Sequence, residues 1–154
     1  MKAIPFPFMT LNLILLTDCG VKSLNLLIDK KTDVSSLSPL TLAFVGDTVF
    51  DLLTRSELVC EANRPVNALH TAASKRVCAA AQAESMRKIL PLLTEDETAV
   101  FKRGRNAHTG GIPKNASSAD YHYATGLESL FGWLYLKGET ERITELYSII
   151  RNED

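Results

Sequence analysis

The stretch from Leu40 to Leu53 leaves this chain the fewest choices of fold. Ser38-Pro39 opens it with a helix-start signal, a capping hydroxyl followed by a proline whose missing N–H costs nothing in a first turn. Read as a helix running to about Cys60, the stretch sends Leu40, Leu42, Phe44, Val45, Val49, Phe50, Leu52 and Leu53 in nearly every direction around the axis. Such a helix must be covered on most sides, so it belongs at the centre of a bundle.

The rest of the chain supplies covering helices. An alanine-rich stretch from about Val66 to Leu90 follows Asn63-Arg64-Pro65, and Pro91 ends it. Thr94 with Glu97 three residues on matches a capping box and opens a short helix that stops near Gly104. Residues 104–118 hold three glycines and a proline and read as a loop. Ala119 to Leu136 puts Tyr123, Leu127, Leu130, Phe131 and Leu134 on one stripe, and Lys137-Gly138 closes it. A last helix, about Glu139 to Arg151, offers Ile143, Leu146, Ile149 and Ile150. No period-two strand pattern and no internal repeat appears, so the predicted class is all-α.

With 154 residues, 45% hydrophobic and 23% charged, the chain can bury one domain's core and is no disordered or fibrous sequence. Its net charge of -1 provides no global field for nucleic acid or membrane, so a charged partner must be met by a local patch. Residues 1–32 are expected to be a poorly ordered extension and residues 33–152 the folded domain. Lys2 with the broken apolar run through Leu16 resembles an export signal, but it is too short to span a bilayer, and Thr17-Asp18-Cys19 puts an aspartate where a cleavage site wants small neutral residues. Three cysteines in no paired spacing suit a reducing compartment. A cytoplasmic protein with no membrane partner is the expectation.

Two acids stand out. Asp47 sits inside the apolar helix with Ala43, Phe44, Phe50 and Asp51 at helical spacing, so its carboxylate is expected against aromatics. Glu128 lies on the stripe helix beside Ala124, Thr125, Phe131 and Gly132, with no lysine or arginine at those positions. Two unpaired acids on two core helices suit a hard cation such as Mg²⁺, which takes one or two carboxylates and keeps several waters. On the other reading each acid is a boundary residue facing water or a helix end.

Leu42-Ala43-Phe44-Val45-Gly46-Asp47-Thr48-Val49-Phe50 resembles the signature helix of the ribonuclease III family, with Asp47 at a catalytic aspartate. Leu69-His70, Ser74, Arg76-Val77, Gln82-Ala83-Glu84, Lys102 to Ala107, Pro113-Lys114-Asn115 and Tyr121 to Leu136 resemble its short bacterial branch, the catalytic domain without a double-stranded-RNA-binding domain. The resemblance covers roughly residues 33–150. It implies a ribonuclease III-type helical endonuclease domain. Of the four acids in the longer family's site, two fall here on Ala43 and Thr125, leaving Asp47 and Glu128 as catalytic and metal-holding residues. Asp51, one turn after Asp47, is either an ordinary surface acid or a group that orients water around the cation.

The implied reaction is Mg²⁺-dependent hydrolysis of double-stranded RNA to 5′-phosphate and 3′-hydroxyl ends. It needs a cation to offset phosphate charge and acidify water, and no serine, cysteine or histidine nucleophile. His70, His108 and His122 lie in separate segments and are expected in solvent or packing roles. Between Ala99 and Ala119 there is no acid, while Lys102, Arg103, Arg105 and Lys114 provide four positive charges. With Asn106 and Asn115 from the same blocks, and Lys75 and Arg76 on the second helix, these are the candidate RNA contacts; Arg87-Lys88 would extend the footprint. Duplex RNA is read through shape, phosphates and 2′-hydroxyls, which suits a patch without a base-reading motif. The short branch further implies a homodimer, precursor large-subunit ribosomal RNA as substrate and ribosomal proteins as partners. The competing reading is a noncatalytic helical module, binding RNA or the ribosome, whose reduced acid set no longer holds metal.

Overall fold

The computed structural model describes residues 32–107 and 117–152. The extension expected over residues 1–32 lies almost entirely outside them, as do His108, Lys114 and Asn115. Among the described residues there are six α-helices and no strand: α1 Pro39–Glu61, α2 Val66–Val77, α3 Ala79–Ile89, α4 Glu95–Arg105, α5 Ser118–Lys137 and α6 Thr140–Arg151. None is long and apolar enough to cross a membrane.

The helix ends follow local chemistry. Ser38 Oγ accepts the Thr41 N–H ahead of Pro39 at the start of α1, and Thr94 with Glu97 closes a full capping box on α4. Gly138 ends α5 with a left-handed φ of 81°, a conformation that costs other residues strain. The alanine-rich stretch is two helices rather than one. Cys78 takes an extended backbone (φ -68°, ψ 155°) between α2 and α3, turning the second half so that Gln82, Met86 and Ile89 face inward.

The central element is α5, which packs against α1, α3, α4 and α6. Its Leu127, Leu130, Phe131 and Leu134 are fully buried and meet Phe50, Met86, Ile89, Phe101 and Leu146. Phe50 stands edge-on to both Phe131 and Tyr147, an arrangement aromatic pairs favour. Contrary to the expectation from its apolar sequence, α1 is not covered on most sides. Leu42, Phe50 and Leu58 are buried, but Phe44 is 81% and Leu52 53% exposed. One side of α1 therefore keeps an apolar surface that a lone monomer in water would not favour.

Two ion-pair systems tie the helices together. Arg142 on α6 donates to both oxygens of buried Glu97 at 2.8 and 2.9 Å and to the Leu92 carbonyl at 2.9 Å. Burial pushes the Glu97 carboxyl up, but the Arg142 and Thr94 hydrogen bonds outweigh it and hold the group below its usual range. At the opposite end of the fold, Arg76 and Arg151 both pair with Glu57 and Glu61, joining the C-terminal ends of α1, α2 and α6.

Candidate active site

Where α1 crosses α5, each helix carries a glycine. A Cβ on Gly46 would sit 1.7 Å from the carbonyl oxygen of Glu128, and one on Gly132 would sit 2.0 Å from that of Leu42. Only hydrogen fits at these distances, so the two backbones touch. Asp47 follows Gly46 directly, and the carbonyl pressed on Gly46 belongs to Glu128. The crossing that glycine permits is what brings the two acids together.

The consequence appears in the titration of Glu128. Burial, and then the negative charge of Asp47, push its carboxyl from an ordinary 4.5 to about 7, while the Gln82 amide on α3 pulls the other way. Asp47 itself is exposed, contrary to the expectation of an acid held among aromatics. Of its aromatic neighbours along the helix, Phe50 turns into the core and Phe44 turns out to solvent, so the carboxylate lies at the mouth of the crossing.

Asp51 lies half-buried one turn on. Its Oδ2 accepts from Arg55 Nε at 2.6 Å, and its Oδ1 is buried without a hydrogen-bond partner. Arg55 also places Nη1 3.4 Å from His70 Nδ1. Arg55 thus balances Asp51, which leaves Asp47 and Glu128 as the two acids whose charges oppose each other. His122 is half-buried with its ring edge-on to Tyr121.

The cations divide into two groups. Arg76 is committed to Glu57 and Glu61, and Arg87 to Asp120 at 2.7 Å and Glu84 at 3.2 Å, so their charges are balanced within the fold. Lys75, Lys88, Lys102, Arg103 and Arg105 have no ion pair among the described residues. The last three sit at the C-terminal end of α4. Arg103 donates to the Leu37 carbonyl at 3.2 Å, while Arg105 lies over the Phe101 ring and donates to Asn106 Oδ1 at 3.2 Å. Gly104 among them is pressed on Gly126 and Ser129 of α5. The basic end of α4 therefore meets α5 one residue from Glu128.

The donor set fits a hard cation. Two carboxylates of like charge are stabilised by a divalent ion between them, and Mg²⁺ completes its shell with water rather than with a closed protein cage. Among the described residues no group of three or more histidines, cysteines and acids is placed to hold a metal ion.

Helices crossing through paired glycines, two acids at the crossing and a basic helix end beside them are a phosphodiesterase arrangement, and comparison with known proteins supplies its family. Residues 40–139 match the family described as Ribonuclease III domain, and the chain belongs to that family. It is 47% identical over 119 residues to Mini-ribonuclease 3 of Thermoanaerobacter sp. strain X514, covering 77% of this chain and 84% of that one. It is 42% identical over 125 residues to Mini-ribonuclease 3 of Brevibacillus brevis, covering 79% and 93%. A crystal structure of a Fusobacterium nucleatum protein superposes with a TM-score of 0.71 at 29% identity, covering 79% of this chain and 92% of that one.

The residue that sequence reasoning did not single out as part of the site is Gln82. Its signal was present: it is the one amide on the inward stripe it shares with Met86 and Ile89.

Proposed function

We propose that this chain is a divalent-metal-dependent endoribonuclease of double-stranded RNA, with Asp47 and Glu128 holding Mg²⁺. The observation that carries the metal site is the glycine-permitted α1–α5 crossing that brings the two acids together, where burial and then the charge of Asp47 raise the Glu128 carboxyl and a cation would relieve both. When bound, Mg²⁺ offsets charge at the phosphoryl oxygen and acidifies water for attack. Asp47 meets solvent, and so substrate, directly; Glu128 is anchored behind it by α5. Lys102, Arg103 and Arg105 with Asn106, on the end of α4 that packs against α5 through Gly104, hold backbone phosphates, and Lys75 extends the grip along α2.

The enzyme works as a homodimer with one site per subunit. The exposed Phe44 and Leu52 border a groove of about 430 Å³ with Tyr135, Ile143 and Thr144, on the helix that carries Asp47. A second copy covering this face would set the two sites on one duplex. Precursor large-subunit ribosomal RNA is the substrate in the cytoplasm, with ribosomal proteins presenting its shape. Purified protein incubated with long double-stranded RNA, with Mg²⁺ and with chelator, tests the reading. Cleavage to 5′-phosphate ends only with Mg²⁺ is expected, and binding without cleavage at any Mg²⁺ concentration would refute it.

A further inference from the structure

Five polar or charged residues are buried among the described residues: Thr54, Gln82, Glu97, Thr125 and Ser129. Four have partners that account for them. Thr54 accepts from Tyr147, Glu97 is bound by Arg142 and Thr94, Thr125 donates to the Tyr121 carbonyl, and Ser129 donates to the Thr125 and Pro39 carbonyls. Gln82 differs. It is 2% exposed, and its Nε2 makes no hydrogen bond of ordinary geometry.

An orphaned buried amide is a standing cost, and an apolar side chain of the same size would remove it. Met86 and Ile89, on the same face of α3, show that this surface accepts aliphatic groups. Across the α3–α5 contact the acceptor within the amide's influence is the Glu128 carboxyl, whose charged form it favours. A fully ionised carboxylate is a stronger acceptor, and hydrogen bonds to it are shorter.

We propose that Gln82 is a positioning residue that holds the Glu128 carboxylate toward Asp47, through Nε2, in the cation-bound enzyme. The inference rests on the metal reading above and adds the residue that sets how tightly the pair binds. Partners of this kind, which touch a ligand and not the ion, are worth about 10- to 100-fold in metal affinity.

Mn²⁺, read directly by electron paramagnetic resonance, is the probe, with Gln82→Leu and Gln82→Met as variants and Asp47→Asn as a marker of the site. Without metal, both Gln82 variants are expected to melt at or above the wild-type temperature, because each removes an unsatisfied amide. Their Mn²⁺ affinity should fall about tenfold or more. Cleavage should drop at limiting Mg²⁺ and recover at excess, with KM for RNA unchanged. Wild-type-like Mn²⁺ affinity in either folded variant would overturn the role of Gln82 alone. Melting several degrees below wild type in both would make Gln82 a packing residue and likewise overturn it. Wild-type protein that binds no Mn²⁺, or Asp47→Asn that binds it unchanged, would overturn the metal reading itself and this assignment with it.

Discussion

Removing the charge of Glu128 should stabilise the metal-free protein while destroying its activity. Raising that carboxyl from 4.5 to about 7 corresponds to a ceiling of about 3 kcal/mol of stability lost when the group is ionised in both folded and unfolded chains. The sign follows from the direction of the shift. The ionised form is the one that burial and Asp47 oppose, so the penalty is absent below the unfolded value near 4.5, grows as pH rises toward 7 and is complete above it. Glu128→Gln keeps the shape and removes the penalty, less the cost of burying a second amide, leaving a gain of about 2 kcal/mol at pH 8. For a domain of this size that is a rise in melting temperature of about 6–10 °C at pH 8, against under about 3 °C at pH 5. Thermal melts followed by circular dichroism in chelator, at both pH values, read it. A variant that melts below wild type by the same amount at pH 5 and pH 8 would refute the opposition of the two acids.

Glu97→Gln should cost about 2 kcal/mol of stability, read as a lower urea midpoint, because it leaves Arg142 without its two-point partner. As the Glu97 carboxyl is held below its usual range, its contribution is present above about 4.5 and lost as pH falls through the lower folded value, so the difference from wild type should shrink in acid. Replacing Lys102, Arg103 and Arg105 together by alanine should raise KM for RNA and flatten the salt dependence of binding by about 0.7–0.9 for each phosphate no longer gripped, while kcat changes much less. Unchanged salt dependence would shift the RNA path toward Lys75 and Lys88. Phe44→Asp should turn a dimer into a monomer in sedimentation at micromolar concentration, and a wild-type monomer under the same conditions would contradict the homodimer.

Sequence legibility followed the reach of each signal. Ser38-Pro39 and Thr94 with Glu97 are local chemistry, and both helices start where that chemistry predicts. The break at Cys78 was not legible, since no proline or glycine marks it; the helix turns there because Gln82, Met86 and Ile89 must meet α5. Asp47 and Glu128 were legible as unpaired acids, but 81 residues separate them and only the glycine crossing shows that they meet. Spacing likewise placed Phe44 and Phe50 beside Asp47 without telling which one faces the core. Arg76 and Arg87 read as free cations because Glu57, Glu61 and Asp120 come from other helices.

The most direct test of the central claim, that Asp47 and Glu128 together hold the cation for cleavage, is single-turnover cutting of double-stranded RNA by Asp47→Asn at saturating RNA and Mg²⁺. The variant should fold, bind RNA with wild-type affinity and salt dependence, and cut at least about a thousandfold more slowly, since it keeps the shape and deletes the charge. Cutting at the wild-type rate, to the same 5′-phosphate ends, would contradict the account.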